Sequence, residues 1–214
     1  SRFGRSRVKI AALILAAGRS TRMGAENKLL ADLGGAPLIA RTVANVLASQ
    51  ARPILLVVGH RSADIRAAVA DQPLEIIDNA DYATGMASSL RVGLGRVPSD
   101  ADGAIVMLGD MPLIGASTID RLVAEAADHP DATAIVPTVD GEWAHPVLLR
   151  RALFPAVAAL SGDVGARKIL AQRSDTRLLA FNDARLQLDA DDPQALELVL
   201  KEWARRLSDG ASQG

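Results

Sequence analysis

A chain of 214 residues with a formal net charge of -1 is large enough for one α/β domain with its own core, and lacks the basic excess of a general polyanion binder. Apolar residues make up 49% but aromatics only 3%, which favours sheet-and-helix packing and argues against stacking surfaces for nucleic acid. Cysteine is absent, which excludes disulfides, thiolate nucleophiles and zinc–thiolate sites, and His60, His129 and His145 show no metal-ligand spacing.

Residues 1–7 are expected to be a flexible lead-in to a domain over 8–207. Arg2, Arg5, Arg7 and Lys9 before apolar residues imitate a signal peptide, but cleavage there would destroy the loop that follows. No apolar run reaches membrane-spanning length, so a cytoplasmic protein is the expectation. The run 8–15 predicts a buried strand, being rich in branched residues and ending at small ones. After Leu15 the chain loses side-chain bulk at Ala16, Ala17 and Gly18, then supplies Arg19, Arg22 and, after Asn27, Lys28. Approachable backbone N–H groups beside fixed cations suit a polyphosphate. The glycine spacing fits neither G-x-G-x-x-G nor a P-loop, and a turn that happens to hold arginines is the competing reading.

Pro37 is placed to start a helix with Leu38, Ile39, Val43, Val46 and Leu47 on one face. Residues 53–59 predict a strand buried on both sides, Ser62 a cap for a short helix to about Asp71, and 74–78 a third strand. This order predicts a single-domain α/β fold, a mainly parallel Rossmann-like sheet with helices on both faces. In 79–93, Ser88, Ser89 and Leu90 begin a helix approached through Gly85-Met86, for which plain serine capping is an equal explanation. The strand 104–108 ends in Gly109-Asp110-Met111-Pro112. Asp110 at the carboxyl end of a strand suits a hard cation such as Mg²⁺, or an Asx-turn.

A helix over 117–128 and a strand over 132–138 follow. Asp140-Gly141 turns the chain into an antiparallel excursion over 143–149, where His145 reads as an edge histidine. Helices at 150–160 and 164–172 are separated by a segment with Gly162, Asp163, Gly165 and Arg167. It is either an anion site for a second substrate or a helix capped by Asp163. Short strands are expected at 176–182 and 185–188. Asp189, Asp191 and Asp192 before Pro193 suit the dipole of the last helix, and Asp189 is the choice to complete a metal site with Asp110. Residues 208–214 are expected to be a disordered tail.

The strings L-A-A-G-R-S-T-R-M-G with Lys28, G-G-A-P-L at 34–38, Asn79 with G-M-A-S-S-L, G-D-M-P, H-P-V at His145, G-D-V-G-A-R and D-A-D-D-P occur in order through most of the chain. Together they resemble the MobA/MocA-type nucleotidyltransferases, in particular the cytidylyltransferase branch that makes molybdopterin cytosine dinucleotide. The resemblance implies a glycosyltransferase-A-type fold, Mg²⁺, CTP rather than GTP (from Ala17 in A-A-G and the G-D-M-P motif), and molybdopterin as acceptor. It implies hand-over of the product to a molybdenum hydroxylase. No nucleic-acid or membrane partner is expected. Under it Arg22, Lys28 and Asp110 are catalytic. Leu15, Ala16, Ala17, Gly18 and Arg19 cradle the nucleotide, while Asn79, Gly85, Ser88 and Ser89 meet the base or ribose. His145, Asp163 and Arg167 fall on the substrate side, and Asp110 with Asp189 holds the metal. The last acidic segment departs from the family pattern, with Gln194 and Ala195 in place of acids.

Two other readings remain at this stage. One keeps the chemistry and changes the nucleotide to GTP or the acceptor to a sugar phosphate, methylerythritol phosphate or phospholactate. The other is a non-catalytic nucleotide- or cofactor-binding module.

Overall fold

The computed structural model describes residues 8–18 and 27–211, and they form a single mixed sheet covered by helices on both faces. Strand β1 (Ile10–Ala16) is buried throughout, as a run without polar side chains must be when both faces of a sheet are covered. It pairs in parallel with β2 (Ile54–Val58) on one side and β4 (Gly103–Leu108) on the other, and β3 (Glu75–Asp78) extends the sheet beyond β2. The crossovers are α1 (Leu38–Leu47), α2 (Ser62–Ala68) and α3 (Met86–Leu94).

The period-two alternation of β1 divides the core into two layers. Ile10, Ala12, Ile14 and Ala16 pack with Leu38, Ile39 and Val43 of α1, and with Ile119 and Leu122 of α4 (Ala116–Asp128). Ala11, Leu13 and Leu15 face the other way, onto Leu90 and Leu94 of α3 and Phe154 and Val157 of α5 (Phe154–Ala158). That second layer is tight: a Cβ on Gly93 would lie 2.4 Å from Leu13 Cδ1, so α3 can sit this close only with glycine there.

Beyond β4 the sheet changes direction. Strand β5 (Ala134–Val139) turns through Asp140 and Gly141, both at positive φ, into β6 (Glu142–Trp143) and then β7 (Val147–Arg150). The expected antiparallel segment is present, but β7 lies inside the sheet, paired antiparallel to both β4 and β5. Strand β8 (Thr176–Ala180) closes the other edge of β5 in parallel. Helices α6 (Arg167–Leu170) and α7 (Pro193–Ala211) complete the order.

Several local expectations need correction. Residues 185–188 are no strand: 185–187 lie in a 3-10 turn, Ala184–Gln187, capped by Leu188 and started by Asp183 accepting a hydrogen bond from the N–H of Arg185. That local bond offers the backbone an alternative to a ladder. Ser62 does not cap α2; the cap position is Arg61, in the left-handed region at φ 53°, with no side-chain capping bond. The helices expected over 150–160 and 164–172 shrink to α5, preceded by the turn Arg151–Leu153, and to the single turn of α6. At the other end α7 continues through Ala211, past the start of the tail expected from Ser208.

Candidate active site

The carboxyl ends of β1 and β4 lie side by side, and a cleft of about 520 Å³ opens above them, where open α/β sheets bind ligands. Leu15, Ala16, Ala17 and Gly18 form its floor. Among the described residues a Cβ on Gly18 would meet nothing within 4 Å, so a ligand can approach this stretch of backbone closely. The two strand ends converge because Gly109 N–H donates to the Leu15 carbonyl at 2.9 Å, and a Cβ at Gly109 would crowd Ile39 Cδ1 at 3.0 Å.

Asp110 follows Gly109 and is buried beneath the cleft. Its neighbour is held by Thr42, whose hydroxyl donates to the Gly109 carbonyl at 2.9 Å, while the Ala190 N–H donates to the Asp110 carbonyl at 3.2 Å. Lys28 reaches the same point from the turn Lys28–Leu30, which is fixed by buried Asn27 accepting from the Leu29 N–H at 3.0 Å. The Lys28 ammonium donates to Asp110 Oδ2 and, at 2.7 Å, to Asp191 Oδ1. Burial alone would lower the Lys28 pKa, but the Asp110 and Asp191 carboxylates outweigh it and hold the pKa above the usual lysine value. Asp110 Oδ1 is buried and has no hydrogen-bond partner among the described residues.

Of the acids before α7, Asp191 faces the cleft. Asp189 stands behind it, half-buried, accepting from the Asp191 N–H at 3.3 Å. Burial, reinforced by the charges of Asp110 and Asp191, raises the Asp189 carboxyl pKa. The structure therefore brings Asp191 rather than Asp189 to the cleft surface beside Asp110 and Lys28. Arg19 and Arg22 lie outside the described residues.

The wall opposite the floor is the segment 82–86, with Gly85 and Ser89 in the lining. Asn79 and Ser88 are buried and do not line it. The Asn79 amide donates to Ser88 Oγ at 2.8 Å and Ser89 Oγ at 3.0 Å, and its carbonyl accepts from the Asp81 N–H at 3.0 Å. Asn79 is thus a brace that shapes the wall from behind, and Ser88, donating to the Gly85 carbonyl at 2.8 Å, belongs to the same brace. Gly85 has φ 110°, and a Cβ there would lie 2.4 Å from the carbonyl carbon of Gly162. Asp163, in the segment read as either an anion site for a second substrate or a helix cap, accepts from the Met86 N–H at 3.4 Å and lines the cleft at the start of α3. His145 and Arg167 line a smaller adjoining cavity, not this cleft. Tyr82 and Thr84 in the wall were not singled out by sequence; their position between Asn79 and the Ser88-Ser89 pair was the available signal.

A mixed sheet with a bare-backbone loop, a lysine and carboxylates converging at its carboxyl ends defines a nucleotidyltransferase domain. The chain belongs to the MobA-like NTP transferase domain family, whose model matches residues 12–177. It is 29% identical to the purine catabolism protein PucB of Bacillus subtilis, over 87% of this chain and 94% of that one. It is 28% identical to nicotine blue oxidoreductase of Paenarthrobacter nicotinovorans, over 77% and 82% respectively. The bifunctional protein GlmU of Symbiobacterium thermophilum is 34% identical over 72% of this chain, but the match spans only 32% of GlmU. Among solved structures, Rv0371c of Mycobacterium tuberculosis H37Rv superposes with a TM-score of 0.81 at 27% identity, covering 92% of this chain and 100% of that one. A manganese complex of Rv0371c superposes with a TM-score of 0.79. No helix among the described residues is long and apolar enough to cross a membrane.

Proposed function

We propose that the protein transfers CMP from CTP to the terminal phosphate of molybdopterin, giving molybdopterin cytosine dinucleotide and pyrophosphate. The observation that carries the reading is the convergence of Lys28, Asp110 and Asp191 beside the Leu15–Gly18 backbone. The choice of CTP and of molybdopterin rests on the motif resemblance along the chain, and the match to PucB over nearly its full length is consistent with a protein of this size.

The residues fit a divalent cation. Asp110 Oδ1 has no hydrogen-bond partner among the described residues, Asp191 shares the Lys28 ammonium with Asp110, and one or two carboxylates plus phosphate oxygens are an ordinary Mg²⁺ donor set. The manganese complex of Rv0371c supports the same reading. Asp110 and Asp191 would hold the cation, which would neutralise charge on the phosphates as the transition state forms.

The chain's own part is positioning and charge. Ala16, Ala17 and Gly18 offer backbone to the triphosphate, and Arg22 joins Lys28 in balancing the leaving charge. An anionic oxygen of the acceptor phosphate attacks the α-phosphorus as the bond to the β-phosphate oxygen breaks and pyrophosphate leaves. The nucleophile is already deprotonated, so no side-chain base is required. The wall 82–86 with Ser89 receives the nucleoside.

The test is pyrophosphate release with each of the four nucleotides, with and without molybdopterin and Mg²⁺ or Mn²⁺. Release with CTP, dependent on acceptor and cation, is expected, and Asp110→Asn should lower it by about 10²–10³-fold. Release with CTP and a sugar phosphate instead would replace molybdopterin as the acceptor. Unchanged turnover in Asp110→Asn would refute the site.

A further inference from the structure

The acid that meets Lys28 comes from a part of the chain beyond the family match, which ends at residue 177. Ala190 ties this segment to the sheet: it is buried in the core, and its N–H donates to the Asp110 carbonyl at 3.2 Å. One such bond does not fix the direction in which the chain leaves. That direction is set by α7, at whose start Asp192 accepts from the Ala195 N–H at 2.8 Å. Leu196, Val199 and Trp203 form its inner face and pack along the core.

Trp203 does not line the cleft. Its ring lies instead against the turn 33–35, where a Cβ on Gly34, at φ 64°, would stand 2.9 Å from the indole Nε1. Arg41 holds this turn by donating to the Leu33 carbonyl at 3.0 Å and to the Gly34 carbonyl, and its guanidinium carbon stands 5.4 Å from the Trp203 ring centroid. The turn is continuous with Lys28. The Ala31 N–H donates to the Lys28 carbonyl at 3.2 Å, and the Leu38 N–H donates to the Ala31 carbonyl at 2.9 Å. The indole N–H is buried with no hydrogen-bond partner among the described residues, so the ring acts by packing. The segments carrying Lys28 and Asp191 are therefore joined twice: at the ion pair, and about 15 Å along α7 where Trp203 meets Gly34.

We propose that Trp203 is a positioning residue: by seating α7 on the 33–35 turn it holds Asp191 beside Lys28 and Asp110, so that cation binding in the cleft depends on a side chain outside it. The Lys28–Asp191 pair cannot do this alone, because the Asp191 side chain is 46% exposed and such a pair contributes little. An indole pressed on a turn covers far more apolar surface. The consequence for the cation rests on the reading of Asp110 and Asp191 as its holders, whereas the seating itself can be measured in metal-free protein.

Trp203→Leu removes the ring, and Trp203→Phe keeps a flat one. In chelator, NMR-detected amide exchange compares Ala190, bonded to the Asp110 carbonyl, with Leu13 in β1. In Trp203→Leu the ratio of Ala190 to Leu13 exchange should rise about tenfold, because the segment opens locally, and Trp203→Phe should restore it. Mn²⁺ binding without nucleotide is then read by electron paramagnetic resonance. Trp203→Leu should weaken it several-fold, by no more than Asp191→Asn does, and should add nothing in the Asp191→Asn background; a general loosening of the fold would add to that loss. Gly34→Ala, in an exposed turn, pushes the ring away and serves if Trp203→Leu fails to fold; it should shift both readouts in the same direction. Parallel acceleration of Ala190 and Leu13, additive losses of Mn²⁺ binding, or no rescue by Trp203→Phe each overturns the assignment. The two readings fail separately. Selective release of Ala190 with Mn²⁺ binding indifferent to Asp110→Asn and Asp191→Asn removes the cation reading and keeps the seating. Cation-dependent pyrophosphate release with unchanged Mn²⁺ binding in Trp203→Leu keeps the activity and removes the positioning role.

Discussion

Replacing Lys28 with methionine keeps most of its length and removes a charge that Asp110 and Asp191 share. The Lys28 and Asp110 side chains are only 12% and 8% exposed, so their attraction is not dispersed by solvent, and removing one partner leaves an uncompensated buried carboxylate. Breaking such a pair costs about 3–5 kcal/mol. The second contact, to an Asp191 side chain 46% exposed, adds little, which places the expected loss near the lower end, about 3 kcal/mol. For a chain of this size about 1 kcal/mol corresponds to roughly 2–4 °C, so metal-free Lys28→Met should melt roughly 6–12 °C below the parent. Mn²⁺ should then act differently on the two proteins. In the parent it must compete with the ammonium for the carboxylates. In Lys28→Met that competitor is gone, and a cation at about 100 times its Kd returns about 2.7 kcal/mol, most of the deficit. Calorimetry in chelator and in Mn²⁺ reads both effects, and Asp110→Asn in the Lys28→Met background should abolish the metal response. Equal melting of parent and variant in chelator, or equal shifts with Mn²⁺, would refute the reasoning.

Other expectations follow from the walls of the cleft. Gly85→Ala combines positive φ with a Cβ 2.4 Å from the Gly162 carbonyl carbon, and should cost about 1–3 kcal/mol in chemical denaturation; a loss under about 0.5 kcal/mol would show that the loop 162–165 is not pressed against α3 as described. Asn79→Ala strips partners from two hydroxyls and the Asp81 N–H, for about 1–3 kcal/mol, whereas Ser89→Ala, in the lining itself, should weaken CTP with a smaller effect on stability. Burial depresses the His145 pKa, with Arg167 adding to the effect and Asp110 opposing it, so the folded protein favours the neutral ring. The stability from this group is complete above the unfolded value of about 6.5 and is lost as pH falls below it towards the depressed folded value. An imidazole NMR titration giving 6.5 or higher for His145 would contradict this.

The sequence determined the parts that depend on neighbours along the chain. Uninterrupted apolar runs fixed β1, β2 and β4 because only a sheet covered on both faces can bury every residue of such a run. The loss of bulk at Ala16, Ala17 and Gly18, and the placing of Asp110 at a strand's end, likewise made the floor and the acid legible before any fold was known. Where local bonds compete with regular structure the reading failed, as at 185–188, where Asp183 ties the backbone into a turn.

Only the tertiary structure decided which acid shares Lys28 with Asp110. Asp189 and Asp191 are two residues apart in near-identical surroundings along the chain, and the packing of Ala190 against the Asp110 carbonyl turns Asp191 outward and leaves Asp189 behind. The resemblance places Asn79 with a base-reading segment, but its partners are serines nine and ten residues on, brought to it by the first turn of α3. The cavity of Trp143, His145 and Arg167 is not legible locally, although His145 and Arg167 stand in the H-P-V and G-D-V-G-A-R strings. It exists because β6 and β7 bring the first two beside β4 while α6 returns Arg167 over them, and a cavity is a property of what surrounds a point in space rather than of what precedes it in the chain.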